Sequence, residues 1–335
     1  MTPEIAKQLM FRMRRIRFVE LEIARRYGEG KMRCPTHLSV GQEAVSAAVG
    51  LALRKDDLAV SGHRAHAHYL GKGGSLRAML AEIYGKVDGC ARGRGGSMHL
   101  IDESVGFMGS TAIVAGTVPV GVGLGYGMKC RGADQVSCVF HGDAVVEAGV
   151  FFESLNFVVV KQLPVLFLCE NNQYSVYSHL RVRQPENRSI AKMAEGLGIA
   201  ASTGNGNDVA QVFEMTMDAL SAIRAGGGPR FLEFSTYRWL EHCGPNYDND
   251  IGYRSEQEFL EWKKKDPIAY YEVELIAQGI VTSECLRRMD DEIQNEVFAA
   301  FDFADASPYP DPESAGFDLY AMEADAASAP QSLRI

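Results

Sequence analysis

Two polar turns in the sequence carry oxygen-containing side chains that could hold a metal ion. Asp143 follows a short apolar run at residues 136–140. Asn172 follows a second apolar run at residues 163–169, and the segment 145–161 between the two has the apolar spacing of a helix. A strand–helix–strand unit with parallel strands would bring both turns to one edge of a sheet, where open α/β folds bind ligands. A carboxylate and an amide oxygen there suit Mg²⁺, although each turn alone is more typical of an ordinary loop.

A histidine-rich stretch at residues 61–68 supplies a second set of candidate residues. If this stretch is helical, His63 and His66 share a face and His68 points elsewhere, which does not match the spacing of a zinc-binding helix. Arg64 offers a fixed fork of donors that suits phosphate. The stretch therefore fits the lining of an anion site better than a metal site.

Two further histidines lie in loops that could belong to a site. His99 ends the glycine-rich loop 93–99, which does not have the Walker spacing for phosphate binding. His242 follows a predicted strand at residues 230–234, and loops beyond strand ends are common places for functional residues. A purely structural role for His242 is about equally well supported by the sequence alone.

The glycine-rich segment 111–129 could be mistaken for a dinucleotide-binding loop. Its glycines alternate from Gly121 to Gly127, whereas that fingerprint requires Gly-x-Gly-x-x-Gly directly after a strand. Glycines four residues apart on a helix allow close helix–helix approach. We expect a buried packing helix here.

The composition places the chain among ordinary globular proteins of one or two domains. The 335 residues are 46% hydrophobic and carry a formal net charge of −9, which argues against a general nucleic-acid-binding protein. The seven cysteines include no Cys-x-x-Cys pair, which indicates reduced thiols rather than a zinc ribbon. We find no membrane-spanning run or signal-peptide pattern and expect a cytoplasmic protein without a membrane partner.

The elements that must position these residues indicate an α/β fold. The continuous apolar runs predict a parallel sheet covered by helices on both faces. Helices are expected at residues 2–27 and 283–300. We expect residues 1–303 to form one domain and residues 304–335, rich in Pro, Ala, Asp and Ser, to form an extended or disordered tail.

The turn at Gly142-Asp143 and the pair Asn171-Asn172 together resemble the thiamine-diphosphate motif, with Ala144 where that motif has glycine. Further segments in the same order resemble the alpha subunit of the thiamine-diphosphate-dependent 2-oxo-acid dehydrogenases, a family that includes the pyruvate, branched-chain 2-oxo-acid and acetoin dehydrogenases. These segments are HLSVGQEA (37–44), HRAH (63–66), GRGGSMH (93–99), IVAGTVPVGVG (113–123), TYRW (236–239) with His242, and KDPI (265–268). The resemblance implies a thiamine-diphosphate-binding fold over nearly the whole chain.

The same resemblance implies thiamine diphosphate and Mg²⁺ as cofactors and assigns residues to them. The implied metal ligands are the side chains of Asp143 and Asn172 and the backbone carbonyl of Tyr174. The implied cofactor contacts are His63, Arg64, Val114, Gly142, Asp143, Ala144, Val145, Asn172 and Tyr174. The implied catalytic residues are His242 near the reacting carbon and, lining the same cavity, His66 and His99.

In this family a beta subunit supplies the glutamate that activates the cofactor, so the resemblance implies an obligate beta partner, with two alpha and two beta chains. The implied reaction is decarboxylation of a 2-oxo acid, or cleavage of a ketone such as acetoin, with acyl transfer to a lipoyl carrier that an acyltransferase could provide. Two alternatives remain at this stage. Departures at His63, Ala144 and Glu241 leave room for a carboligase with an aldehyde acceptor, and Ala144 leaves room for a catalytically silent, partner-binding homologue.

Overall fold

A parallel sheet of six strands forms the centre of the molecule in the computed structural model, which describes residues 1–316. The strands of this sheet are β1 (Leu58–Ser61), β2 (Phe107–Ser110), β3 (Ser137–Gly142), β4 (Val165–Asn171), β7 (Ala200–Asn205) and β8 (Arg230–Ser235). Their spatial order is β2-β1-β3-β4-β8-β7, and neighbouring strands run parallel throughout. A small antiparallel hairpin, β5 (Tyr174–Ser175) with β6 (Ser178–His179), follows β4 directly.

Helices surround the sheet. They are α1 (Pro3–Tyr27), α2 (Glu43–Ala52), α3 (His66–Lys72), α4 (Leu76–Ile83), α5 (Thr117–Cys130), α6 (Gly149–Lys161), α7 (Leu180–Arg183), α8 (Ile190–Gly196), α9 (Val209–Arg224), α10 (Glu256–Lys263), α11 (Pro267–Ala277) and α12 (Ser283–Ala306). Their starts follow local capping chemistry: for example, Thr2 accepts a hydrogen bond from the backbone N–H of Ile5 at 3.3 Å before α1 begins at Pro3.

The two faces of the sheet bury separate sets of apolar side chains. Phe167 in β4 packs into a core shared with α5, α6 and α8. Its neighbour Leu168 points to the opposite face and packs into a core shared with α1, α2 and α9. Because successive side chains of a strand alternate between faces, a strand buried on both sides must be apolar at every position. The predicted parallel sheet with helices on both faces is confirmed.

Helix α5 corrects one prediction. A Cβ on Gly121 would lie 2.4 Å from a methyl group of Val139, so only glycine lets this face of the helix approach the sheet. The other face is not buried: a Cβ on Gly123 would meet open space, and Val120 and Tyr126 are half exposed. The expected buried helix is therefore buried on one face and exposes an apolar face on the other.

The end of the described chain extends beyond the predicted final helix. Helix α12 continues to Ala306 rather than ending near residue 300. The following residues pack along the segment after α4, where Lys86 Nζ donates to the carbonyl of Ser307 at 2.9 Å and the N–H of Val87 donates to the carbonyl of Pro308 at 3.0 Å. Residues 317–335 of the predicted tail lie outside the described residues, and the boundary near residue 303 stays a prediction.

Candidate active site

A cavity opens at the carboxyl ends of β1, β3 and β4. Its position is the edge at which parallel α/β sheets bind ligands. The cavity brings together every residue predicted to contact the cofactor, and also His242: His63, Arg64, Val114, Gly142, Asp143, Ala144, Val145, Asn172, Tyr174 and His242.

Three of these residues form what we call the oxygen cluster: Asp143, Asn172 and Tyr174. In the parallel register Gly142 pairs with Glu170, so the two strands end side by side and their following residues meet. Asp143 is 2% exposed. The amide oxygen of Asn172 accepts a hydrogen bond from the N–H of Tyr174 at 3.1 Å and keeps a second lone pair for a ligand. Oxygen donors gathered in this way suit a hard cation such as Mg²⁺.

A cation from the protein itself contacts the oxygen cluster. The guanidinium of Arg183, at the end of α7, forms ion pairs with Asp143 and with Glu147. Burial raises the pKa of Asp143, and the nearby Arg183 opposes that rise. Arg183 thus compensates a buried carboxylate that would otherwise be costly.

Ala144 does not require the backbone freedom of glycine. It lies in the 3-10 helix Asp143–Glu147, which precedes α6, and it is not among the residues with positive φ. An alanine therefore fits this backbone without strain, and it lines the cavity. The prediction of one continuous helix from residue 145 is corrected to a 3-10 turn followed by α6, which begins at Gly149.

Positive φ angles occur at other positions around the cavity. Ala115 has φ of 64°, Gln173 has φ of 68° and Val176 has φ of 52°. Such angles are unusual for residues with a Cβ and a genuine outlier for the branched Val176. Strained backbone of this kind concentrates at ligand sites, which agrees with the placement of Ala115 in the cavity wall.

His63 and His242, which line the cavity, form with His37 what we call the histidine cluster. Their ring centroids are 4.6 Å (His37 to His63), 4.9 Å (His37 to His242) and 5.3 Å (His63 to His242) apart. Burial, reinforced by the charge of Arg64, lowers the pKa of His37 to about 2, of His63 to about 4 and of His242 to about 3. All three rings are therefore neutral at physiological pH.

Arg64 is held by backbone carbonyls. Its guanidinium donates to the carbonyl of Leu38 at 2.6 Å and to that of His242 at 3.1 Å, so these contacts fix it on the side of the histidine cluster. Burial, and then the charge of Arg238, lowers the pKa of Arg64 to about 10, which leaves it charged at neutral pH. A buried, charged guanidinium in the wall of a cavity is suited to binding an anionic ligand.

A buried polar chain, which the sequence did not indicate, also reaches the cavity. The Ser61 hydroxyl is 2.7 Å from Nδ1 of His68, and Nε2 of His68 is 2.9 Å from Oε2 of Glu170. Oε1 of Glu170 and Nε2 of His141 are buried and have no hydrogen-bond partner within residues 1–316. Unpartnered polar atoms in a cavity wall are costly unless a ligand or water satisfies them, so this cavity fits a polar ligand.

Two predicted catalytic residues, His66 and His99, are not among the described residues that line the cavity. His66 is fully buried, with Nε2 2.7 Å from the hydroxyl of Ser97 and Nδ1 3.2 Å from a carboxylate oxygen of Glu20. His99 is exposed and uses Nδ1 toward the carbonyl of Gly95 at 3.1 Å. The expectation that they line the cavity is corrected, because α3 turns His66 toward α1 and the glycine loop holds His99 at the surface.

The cavity also contains residues that were not singled out as site residues in the sequence. These are Gln42, Ser61, His68, His141 and Glu170. For Glu170, alternation along β4 offered a signal: it lies on the same face as Leu168, directly before the Asn171-Asn172 pair. His141 precedes the Gly142-Asp143 turn and showed no signal of its own. Gln42, Ser61 and His68 belong to the cavity wall because of contacts between segments that are distant in sequence.

The fold and the site together define an α/β enzyme of the thiamine-diphosphate-binding class. The family that matches the chain is the dehydrogenase E1 component, over residues 11–313, and the chain belongs to this family. The family implies thiamine diphosphate as the cofactor, and the resemblance inferred from the sequence is confirmed.

Similar curated proteins agree with that assignment. The chain is 32% identical over 305 residues to the pyruvate dehydrogenase E1 component subunit alpha of Rickettsia bellii (strain RML369-C), covering 91% of this chain and 92% of the relative. It is 37% identical over 295 residues to the chloroplastic subunit alpha-3 of Arabidopsis thaliana, covering 86% and 68%. It is 32% identical over 312 residues to the mitochondrial somatic-form subunit alpha of Rattus norvegicus, covering 93% and 78%.

Proposed function

We propose that this chain is the alpha subunit of a thiamine-diphosphate-dependent 2-oxo-acid dehydrogenase. The enzyme decarboxylates a 2-oxo acid, for which pyruvate is the first candidate because the relatives are named for it. The acyl group then passes to a lipoyl carrier, which a lipoyl acyltransferase of the same assembly would hold. The observation that carries the proposal is the oxygen cluster facing Arg64 across one cavity at the strand ends.

The cavity divides the binding of the cofactor between its two sides. Asp143, Asn172 and the carbonyl of Tyr174 would hold Mg²⁺ by oxygen donors, and Arg64 would bind the diphosphate by charge-assisted hydrogen bonds. Thiamine diphosphate supplies a carbanion nucleophile and an electron sink when bound. Asn172 is itself oriented by the amide of Gln42, whose Oε1 accepts from Asn172 Nδ2 at 3.4 Å. Ala144 narrows this side of the cavity by one methyl group.

His242 is the proposed proton-transfer residue of this chain. Its ring lies in the cavity wall and is neutral at pH 7, and the negative charge of a bound diphosphate would raise its pKa from about 3 toward the range that suits proton transfer. The carbonyl of the same residue accepts from Arg64, which fixes the loop that carries the ring. His66 and His99 are left without a catalytic role by their positions.

An apolar surface next to the cavity supports a beta-type partner. Val114 belongs to the cavity wall and is 51% exposed, and the apolar surface continues along α5 and α6 through Val120, Tyr126 and Val160. Large apolar patches of this kind are typical of subunit interfaces. We propose that a beta subunit covers this surface and completes the site, in an assembly of two alpha and two beta chains.

A cytoplasmic location is part of the proposal and rests on sequence composition. Two relatives are named as chloroplastic and mitochondrial proteins, so the family occupies several compartments. Among the described residues, no helix combines the length and apolar character that crossing a membrane requires. Fractionation of cells with an antibody against the native chain would test the location.

The function is tested by reconstitution. The chain is co-expressed with a beta-type E1 subunit, the complex is purified, and binding of thiamine diphosphate is measured with and without Mg²⁺. Release of CO₂ from pyruvate is then followed with a lipoylated acceptor and, separately, with an aldehyde acceptor. We expect Mg²⁺-dependent binding and lipoyl-dependent turnover, and ligation onto the aldehyde without a lipoyl requirement would favour a carboligase instead.

The proposed interface has a matched pair of variants. Val120→Glu places a charge in the α5 surface and should abolish co-purification with the beta chain. Met217→Glu places the same charge on exposed α9, away from that surface, and should leave assembly intact. Equal behaviour of the two variants would show that the partner binds elsewhere.

A further inference from the structure

The histidine cluster has the composition of a transition-metal site. His37 comes from the loop before α2, His63 from the loop after β1, and His242 from the loop after β8. Each ring offers one nitrogen, and these three nitrogens all lie within 4.8 Å of one another. Three imidazoles from separate segments that converge on one point are an arrangement found in zinc sites with an open coordination position.

One member of the cluster shows an unmet need for a partner. The side chain of His37 is 6% exposed, and its Nδ1 is buried without a hydrogen-bond partner among the described residues. A buried polar atom that is left unsatisfied destabilises the folded chain. The packing of His37 against the edges of the other two rings does not remove that cost, whereas a bound group in the cluster would.

We infer that His37, His63 and His242 form a binding site for a borderline divalent transition metal, with Zn²⁺ as the representative ion. Imidazole nitrogens favour zinc, copper and nickel, whereas Mg²⁺ prefers carboxylate, carbonyl and water oxygens. The site is therefore chemically separate from the oxygen cluster across the cavity. Zn–N bonds of about 2.0–2.1 Å require the nitrogens, which lie within 4.8 Å of one another, to approach to roughly 3.4 Å when a metal binds.

The charge of Arg64 determines what completes the coordination. Its guanidinium lies against the carbonyl of His242, so a dication in the cluster meets a neighbouring positive charge. An anionic fourth ligand, such as hydroxide or a carboxylate, offsets that repulsion and can bind Arg64 at the same time. The site thus takes a metal together with an anion, and it takes them in the same cavity that holds the oxygen cluster.

Occupation by zinc has a consequence for the larger ligand. His63, Arg64 and His242 all line the cavity, so a metal and its anion placed among them reduce the room for a diphosphate. Zinc should therefore compete with thiamine diphosphate, a conclusion that rests on the proposed function. Zinc binding itself does not depend on that function.

The test uses the full-length chain, purified in chelator-treated buffer without Mg²⁺ or thiamine diphosphate. Titration with Zn²⁺ against a chromophoric chelator should give one ion per chain. His63→Gln and His242→Gln should each weaken binding by at least about 100-fold, since removing a ligand exceeds the 10–100-fold effect of outer-shell changes. His99→Gln, which removes an exposed imidazole outside the cluster, should bind Zn²⁺ like the native chain, as should the native chain in excess Mg²⁺.

Several results would overturn the inference. Zn²⁺ binding that survives both His63→Gln and His242→Gln in variants with native circular dichroism would place the ion elsewhere. Loss of binding in Cys243→Ser, which alters the exposed thiol beside His242, would assign the ion to cysteine. Absence of binding to the native chain would refute the site directly.

The outcomes separate this inference from the proposed function. A chain that binds thiamine diphosphate with Mg²⁺ and binds no zinc refutes the histidine site alone. A chain that binds zinc and no thiamine diphosphate refutes the proposed function alone. When both bind, a zinc-dependent loss of thiamine diphosphate affinity that disappears in His63→Gln supports the shared cavity, and unchanged affinity contradicts it.

Discussion

The oxygen cluster and the histidine cluster differ in how the chain builds them, although residues of both line one cavity. The oxygen cluster comes from a single strand–helix–strand unit, in which Asp143 follows β3 and Asn172 follows β4. The histidine cluster comes from three loops distant in sequence. The wall of one cavity therefore carries hard oxygen donors from the first cluster and the neutral imidazoles of His63 and His242 from the second.

The two clusters also respond to pH in opposite directions. Burial raises the pKa of Asp143, so the folded chain favours its protonated form, and this contribution to stability is lost as pH rises through the folded pKa. Burial lowers the pKa of His37, so the folded chain favours the neutral ring, and this contribution is lost as pH falls below the ordinary histidine pKa near 6.5. Lowering the pH therefore reduces the contribution of the histidine cluster to stability and favours the protonated form of Asp143 in the oxygen cluster.

The largest expected effect is a loss of cofactor affinity when the oxygen cluster is changed. Asp143→Asn removes the only formal charge of the oxygen cluster and should lower the Mg²⁺-dependent affinity for thiamine diphosphate by at least about 100-fold. Isothermal titration on the reconstituted complex measures this change. Glu147→Gln is the matched control, because it removes the other carboxylate bound by Arg183 and keeps Asp143. If both variants lost cofactor affinity equally, Asp143 would have no role beyond that of a carboxylate bound by Arg183.

A smaller effect tests the histidine cluster through pH. With the pKa of His37 lowered to about 2, the unfolded chain at pH 5 binds a proton that the folded chain does not, which costs roughly 2 kcal/mol relative to pH 7. His37→Gln should remove this part of the pH dependence, as measured by urea unfolding at pH 7 and pH 5. The exposed variant His99→Gln should retain the full dependence of the native chain. If the free energy of unfolding of His37→Gln changed between pH 7 and pH 5 as much as that of the native chain, His37 would be protonated in the folded state.

The smallest effect concerns the protein cation on the oxygen cluster. Arg183 pairs with Asp143, so a metal must compete with it. Arg183→Ala should therefore increase the affinity for Mg²⁺ by about three- to tenfold, near 1 kcal/mol. Mn²⁺ binding followed by electron paramagnetic resonance measures this change. Arg181→Ala, which removes an exposed charge that makes no ion pair with Asp143, should have no effect; a decrease in affinity on loss of Arg183 would make it a supporting residue instead.

Much of the oxygen side could be predicted from the sequence. The apolar runs before Asp143 and Asn172 are continuous, as a strand covered on both faces requires, and parallel pairing places their ends together. Glu170 was missed although alternation along β4 places it on the face of Leu168, directly before the Asn171-Asn172 pair. Arg183 was missed because its partner is decided by the fold of the loop after β6.

The histidines that were predicted to be catalytic show the limit of local reasoning. His66 and His63 are three residues apart and were expected in one cavity, yet the start of α3 turns His66 against Glu20 and Ser97. His37 was quoted within a matching segment and given no role of its own, although it occupies the centre of the histidine cluster. The direction in which a side chain points from a helix or loop cannot be predicted from residue spacing when the first residue of the helix is uncertain.

By itself the sequence determined the parallel α/β sheet and the pairing of Asp143 with Asn172, because apolar periodicity and turn position are local properties of a chain. The tertiary structure alone decided which histidines face the cavity, that Ala144 needs no positive φ, and that one face of α5 stays open. These depend on the sheet order and on which helix packs where, and such long-range choices leave no pattern in neighbouring residues.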